Sequence, residues 1–526
     1  MIASLLETGF LLLAVLVAVE AIANRTHISS SILMVIAGCA MALIPGLPDF
    51  TLIPEMVLLL VLPPIIYLAG VQMSWREFHE NLRPIALLAI GCVVFTTCAV
   101  AAVAHYVLNL SWPVGFVLGA IVAPPDVIAP LAIARRLGIP RRILVILEGE
   151  GLANDATALV LYRFAVAAVS IGVFSFRGII VTFVLILVLE VAYGIALGWA
   201  SLRLRRWIDD PRLEITLSLM TPYAAFWVPE HLGGSGVIAT IATGLYVSWN
   251  GPLLISSSTR LQGLFFWDLL IYLIEGLVFL ITGLQARTLF ERIELDELTR
   301  GLVATGLTTA VVIASRFAWI FAGRGRNPSS KHPTATWQET FLLSFIGVRG
   351  VVSLTVALAL PLSTASGAPF PARDLILFVT FGLIVITLVG QGLLIPSVIK
   401  WLGLGKGAAL EHDRQLIEEY RARTLSLDAA GRRLDQLAAE RHIAQEAVQF
   451  VRAHHDERSQ MIPADLDEGL AMTQAGAALR IEAIEEERHE IHRLERIGQL
   501  TDEARRRIER ELDLEEEILG SRKPPG

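Results

Sequence analysis

Apolar runs long enough to cross a bilayer restrict the folds open to this chain more than any other feature. About thirteen stretches of roughly 17–25 residues, the length a helix needs to span hydrocarbon, begin near Ile2, Ser30, Ile53, Pro84, Trp112, Ile143, Gly178, Leu213, Ser235, Gly263, Leu302, Trp337 and Asp374. The expected fold is therefore an all-α polytopic membrane protein. Hydrophobic residues make up 54% of the 526 positions and charged residues 18%, with a mean hydropathy of +0.61. A soluble protein of this size does not have that balance. The net charge of −7 sums an apolar part and an acidic tail, so it makes no case for nucleic acid as a partner. The bilayer is the first partner to expect.

The first apolar run ends at Ala21-Ile22-Ala23, which resembles a cleavage site. Met1 to Gly9 carries Glu7 and neither Lys nor Arg, so the run reads as an uncleaved span. Basic residues in the connecting loops set the orientation. Arg76 and Arg83, then Arg135, Arg136, Arg141 and Arg142, then Arg203, Arg205, Arg206 and Arg212, then Arg324, Arg326 and Lys331 mostly fall on the side of the C-terminal tail. That places the tail in the cytoplasm and the N-terminus outside a cell membrane. The loop Arg287 to Arg300, with Glu291, Glu294, Asp296 and Glu297, reads as a short amphipathic surface helix. Cys39, Cys92 and Cys98 sit in apolar segments without metal-ligand or disulfide spacing and read as packing residues.

At about Gly403 the composition turns to Glu, Arg, Gln and Ala, with apolar residues only at helical spacing. The expected domains are residues 1–402, embedded in the membrane, and 403–526, a cytoplasmic helical tail. Ile481, Ile484, Ile491 and Leu494 share one helix face, and Ile508, Leu512 and Leu519 share another. Pro463 and the Gly498 to Thr501 region read as breaks. A solvated hairpin accounts for this pattern, with regulation or self-association as the alternative roles. His454, His455, His489 and His492 read as exposed tail residues rather than pH sensors.

Charges inside the apolar part identify the chemistry. Glu148-Gly149-Glu150-Gly151-Leu152-Ala153-Asn154-Asp155 puts three carboxylates and an amide at the head of the sixth span. A carboxylate near a bilayer centre costs roughly 2.5–3.5 kcal/mol even on insertion-based scales, and such residues mark ion or proton paths. Span five holds Ala123-Pro124-Pro125-Asp126, where two prolines must break the helix. Span twelve holds Gly347-Val348-Arg349-Gly350, a guanidinium between glycines. Broken helices at matching places in two halves point to a transporter's midplane site, and taking spans one to six and eight to thirteen as inverted repeats makes these two equivalent. Glu150 and Asp155 differ by about 140° around a helix, so they face different partners. A lone buried charge costs more than a pair, which assigns Glu150 to an ion pair with Arg349 and leaves Asp155 free to exchange ligands. Hard oxygens suit a small alkali cation, and one carboxylate holds either that cation or a proton.

These residues resemble the monovalent cation:proton antiporters of the bacterial NhaP and animal NHE type, along essentially all of residues 1–400. Leu62-Pro63-Pro64-Ile65-Ile66-Tyr67 is similar to the family's third-span motif, Glu150 to Asp155 to its Glu-Ser-Leu-x-Asn-Asp motif, Glu275 through Gln285 to its tenth span, Gly347 to Gly350 to its Gly-x-Arg-Gly segment, and Thr387 to Gly392 to its last span. The resemblance implies about thirteen helices in inverted repeats with two crossed broken helices, and a homodimer. It also implies electroneutral exchange of one cation for one proton, since Asn154-Asp155 stands where a related group has two aspartates. No cofactor is implied. The ligands are the transported ion, Na⁺ or alternatively K⁺ or Li⁺, and H⁺.

The ion site expected on this basis joins Asp155 and Asp126, with Asn154, Ala123, Pro124, Pro125 and Thr157 in support, Asn154 tying the broken helices together and Glu275 lining a cation funnel. Three positions depart from the pattern. The family's Thr-Asp-Pro is here Pro125-Asp126-Val127, its Ser is Gly151, and an acidic residue often found in span three is Leu68. Glu7, Glu20 and Glu190 read as interfacial, and Arg163 and Arg316 as helix-packing or interfacial partners. An intramembrane aspartyl protease built on Asp126 and Asp155 lacks the Gly-x-Gly-Asp context, and a non-transporting ion sensor lacks a recognisable signalling domain.

Overall fold

A computed structural model describes residues 2–26, 28–44, 57–171, 176–208, 210–291, 295–323, 336–364, 367–441, 448–453, 466–497, 499–500 and 502–520. The basic loop with Arg324, Arg326 and Lys331, together with Pro463, His454 and His455, lies outside them. Two compact units form, Met1–Ala408 and Ala409–Gly526.

In the first unit the apolar runs become α1 (Ile2–Thr26), α2 (Ser30–Ala42), α3 (Leu62–Gln72), α4 (Val93–Tyr106), α5 (Trp112–Val122), α6 (Ile128–Arg136), α7 (Arg141–Ile171), α8 (Phe176–Arg205), α9 (Pro211–His231), α10 (Val237–Asn250), α11 (Ser257–Glu291), α12 (Leu295–Gly323), α13 (Trp337–Phe345), α14 (Val351–Leu358), α15 (Arg373–Val385) and α16 (Gly392–Leu402). Seven of the described helical segments are long and apolar enough to cross a membrane, and Ser30–Ala42, Val57–Gln72 and Trp112–Val122 are shorter apolar helices. Chain breaks shorten several expected spans. Span five stops at Val122 and resumes at Ile128, and span twelve stops at Phe345 and resumes at Val351. Pro124 and Pro125 lack the N–H that would continue α5, while Gly347 and Gly350 flank the second gap.

The charged loop after α11 takes a different form from the expected surface helix. Glu291 ends α11, and Asp296 and Glu297 open α12, so these residues belong to the ends of two long helices. Glu190 has a structural role rather than a snorkelling one. It is 3% exposed and accepts from the Ser235 N–H at 2.5 Å and the Gly236 N–H at 3.2 Å, where a carboxylate complements the positive end of α10. Arg163, on α7, donates to the Gly234 carbonyl at 2.5 Å and to Glu230. Of the cysteines only Cys92 is buried; Cys98 is exposed on α4.

The second unit contains α17 (Gly405–Arg441, beginning just before it), α18 (Leu466–Arg496) and α19 (Asp502–Gly520). Ile484, Ile491 and Leu512 form a small core between α18 and α19, with Leu500 and Ile508 against it. The pairs Arg480–Glu515 and Arg488–Asp513 cross between the two helices at 2.7 and 2.5 Å.

Candidate ion-binding site

Helix α7 separates its three carboxylates by their angle around the axis. Glu148 takes Arg135 of α6 at 2.7 Å, with the arginine half exposed. Glu150 points into the protein, where its side chain is 0% exposed, and Arg316 of α12 grips it through both nitrogens at 2.5 and 2.8 Å. Arg316 also donates to the Leu343 carbonyl at the end of α13, at 3.1 Å from Nε. Such a bidentate pair offsets the desolvation of both charges only when the geometry is good and further hydrogen bonds take up the remaining protons, and here Nε and Nη2 both reach the Leu343 carbonyl. Asp155, five residues on, turns away from this pair.

The partner expected for Glu150 was Arg349, and the structure corrects that. Arg349 donates from Nε to the Val122 carbonyl at 3.0 Å, from Nη2 to the Ala123 carbonyl at 3.0 Å, and from Nη1 to the Gly347 carbonyl. Its guanidinium thereby covers the carbonyl end of α5, where the helix dipole is negative. The cause lies in the break itself, because where the helix stops the Val122 and Ala123 carbonyls lose their in-helix donors, the Asp126 N–H going instead to Val348, and need others. Ala123, expected to offer its carbonyl near the ion, has that carbonyl engaged by Arg349.

The two broken segments are joined directly. The Asp126 N–H donates to the Val348 carbonyl at 2.7 Å, while the Arg349 N–H ties the second break to the last span by donating to Thr387 Oγ1 at 3.0 Å. Asn154 Nδ2 donates to the Pro125 carbonyl at 2.6 Å, which ties α7 to the first break. The Asp126 carboxylate lies against Gly350, where an added Cβ would stand 1.6 Å from Oδ2. Any larger residue would push that carboxylate away from the start of α14. Arg349 from the second segment thus covers the negative end of the first, and Asp126 from the first sits at the positive end of the second.

Asp155, Asp126 and Glu275 all line one cavity of about 330 Å³, bounded by α3, the first break, α6, α7, α11 and α14. That volume holds several waters. Pro124, Pro125 and Gly151 also line it. Thr157 does not. It is 3% exposed and its hydroxyl turns back to the Ala153 carbonyl at 3.4 Å, so its support of the site is limited to α7 itself. Leu68 lines the cavity, so the acidic group sometimes carried on span three is replaced there by an apolar wall. Asp155 makes no ion pair or hydrogen bond among the described residues.

Arg316 is the member of this constellation that sequence reasoning assigned to packing. A signal was available: it is the single charged residue between Gly301 and Gly323, and one buried glutamate with two intramembrane arginines leaves the pairing open. Val127 and Ser353 are further cavity-lining residues whose place nothing in their local pattern announces.

Two broken helices joined beside a carboxylate at a cavity fit the architecture of a secondary transporter. Residues 11–401 match the transmembrane family described as sodium/hydrogen exchanger. The chain belongs to that family. It is 34% identical over 522 residues to an uncharacterized Na⁺/H⁺ exchanger of Mycobacterium tuberculosis, covering 96% of this chain and 94% of that one. It is 31% identical to the Na⁺/H⁺ antiporter ApNhaP of Aphanothece halophytica, over 72% of this chain and 70% of that protein. A sodium, potassium, lithium and rubidium/H⁺ antiporter of Bacillus pumilus is also 31% identical, over 73% of this chain and 60% of its own length. The fold is shared with the sodium proton antiporter MjNhaP1 from Methanocaldococcus jannaschii, at a TM-score of 0.61 and 18% identity, over 76% of this chain and 99% of that structure.

Proposed function

We propose that this transporter exchanges a monovalent cation, Na⁺ in the first place, for H⁺ without net charge movement, and that Asp155 carries the two ions in turn. One observation supports this above the others. Of the three carboxylates at the head of α7, Glu148 and Glu150 are matched by Arg135 and Arg316, whereas Asp155 faces the cavity. A carboxylate held by an arginine has no reason to change ligand, and one facing water has. Asp126 supplies a second hard oxygen beside the ion, Asn154 holds the first break in position, and Glu275 attracts cations into the cavity. Arg135 lines the cavity; with its loop read as cytoplasmic, the cavity is the inward-facing access, and alternating access then requires α5, α7 and α14 to shift as a body against the remaining helices.

The wider frame belongs to the same proposal: about thirteen spans in inverted repeats, two protomers per assembly in a cell membrane, the N-terminus outside, and a tail that regulates or self-associates. K⁺ or Li⁺ remains the second reading for the cargo, since the Bacillus pumilus relative is named for several alkali ions. In proteoliposomes, Asp155→Asn is expected to abolish dissipation of a pH gradient on addition of Na⁺, K⁺ or Li⁺, with the protein still folded on size exclusion. Full cation-driven proton flux in that variant would sink the assignment. Flux that changes with an imposed membrane potential would remove electroneutrality alone.

A further inference from the structure

We infer that Ser353 supplies a neutral oxygen to the transported cation and sets how tightly that cation binds. This rests on exchange at Asp155 and names the group that meets the carboxylate from the second broken helix. Asp155 borders two spaces, the 330 Å³ cavity and a small pocket of about 10 Å³. Pro124, Asp155, Val352 and Ser353 line both, so Asp155 and Ser353 are the polar side chains at the boundary between them. A pocket that small is the size of a single water, which is also the scale of a partly dehydrated alkali ion.

Elimination among the oxygens leads to the same residue. The neutral side chains with oxygen in the cavity lining are Gln72, Ser353 and Thr355. Thr355 donates its hydroxyl to the Val351 carbonyl at 3.0 Å and does not border the small pocket. Gln72 ends α3 and takes no part in the small pocket. Ser353 is 3% exposed and makes no hydrogen bond among the described residues. A helical serine ordinarily bonds back to the carbonyl four residues earlier, and here that residue is Arg349, which precedes the start of α14 at Val351. The break thus leaves a hydroxyl unspent beside the exchanging carboxylate, in surroundings where an unmade hydrogen bond is costly.

The opposite wall explains why the hydroxyl has to come from α14. Position 151 is glycine, and a Cβ there would stand 2.1 Å from Val127 Cγ2. The valine methyl group occupies the space into which a side chain at 151 would project, so no hydroxyl fits on α7 unless residue 127 is smaller. Position 125, on the first break, is proline. Pro125 and Gly151 thus bring no hydroxyl to the cavity that Asp155 lines, and Ser353 brings one from the other broken helix.

The test is initial-rate exchange by the full-length protein in proteoliposomes with a trapped pH dye, titrated with Na⁺, Li⁺ and K⁺. Losing one uncompensated ligand is expected to raise the apparent KM for Na⁺ about tenfold in Ser353→Ala, with the maximal rate little changed. Ser353→Cys, nearly isosteric but with a soft sulfur, is expected to move KM in the same direction, and Ser353→Thr to retain wild-type affinity. Val127→Ala with Gly151→Ser, added to Ser353→Ala, is expected to recover part of the lost affinity by returning a hydroxyl from α7. An unchanged KM in both Ala and Cys variants, or a fall in maximal rate at constant KM, overturns the role of Ser353. Full exchange by Asp155→Asn in the same assay overturns instead the reading on which it rests.

Discussion

Glu150 and Asp155 are five residues apart on one helix, yet their surroundings are opposite. Glu150 is sealed beneath a bidentate arginine, and that arginine is itself bonded to the Leu343 carbonyl. Asp155 has a water-sized pocket on one side and a cavity on the other. The contrast separates two uses of buried charge. A carboxylate meant to stay charged and still is given a partner that satisfies its oxygens. One meant to trade ligands is left in contact with space through which they can arrive. Arg349 extends the same division, because its hydrogen bonds go to the backbone carbonyls of Val122, Ala123 and Gly347 rather than to either acid.

The most severe way to break this comparison is to unpair the sealed side. Arg316→Met leaves Glu150 buried without a partner and is expected to cost about 3–5 kcal/mol of stability, read as a large fall in the thermal unfolding midpoint of the detergent-solubilised protein. Arg316→Met with Glu150→Leu is expected to regain most of that loss. A single variant as stable as wild type would remove the distinction between the two acids. A smaller effect is expected on the open side. Glu275→Gln alters a cavity-lining carboxyl without touching Asp155, and is expected to raise the apparent KM for Na⁺ by no more than about fivefold. Loss of exchange comparable with Asp155→Asn would make Glu275 a second exchanging group.

The tail provides the mildest case, since its ion pairs lie in water. Arg480 donates to both oxygens of Glu515 at 2.7 and 2.9 Å, and this holds the Glu515 carboxyl below the usual carboxylate range. A group whose folded pKa is depressed contributes stability above its unfolded value and loses it as pH falls through the lower folded value. The hairpin of α18 and α19 is therefore expected to loosen slightly below the ordinary glutamate value of 4.5, seen as reduced helicity of residues 409–526 by circular dichroism. In Arg480→Ala that acid-dependent part is expected to shrink. An identical acid profile in the two proteins would show that the pair contributes nothing measurable.

Much of the ion site is legible one residue at a time. Pro124 and Pro125 force a break wherever they stand, because the missing N–H and fixed ring act locally. The 140° between Glu150 and Asp155 follows from the helical repeat alone, and it anticipates two different environments. Asn154 is expected to tie the two broken helices together, and among the described residues its side chain bonds only to the first, at the Pro125 carbonyl. The partner of Glu150 is a different kind of question. Arg316 and Arg349 lie 166 and 199 positions away in the chain, both are arginines in apolar runs, and only the packing of α12 against α7 distinguishes them.

Apolar length, proline breaks and the helical repeat by themselves determined that this chain folds into membrane helices, that two of them break, and that one acid on α7 faces away from another. These are local properties, set within a few residues along the backbone. Tertiary structure alone decided that Arg316 neutralises Glu150, that Arg349 serves the carbonyls of the other break, that Val127 fills the space beside Gly151, and that Ser353 and Asp155 border the same two spaces. Each of those depends on which distant segments are brought within a few ångströms, and hydrogen bonds and van der Waals contacts act only over that range.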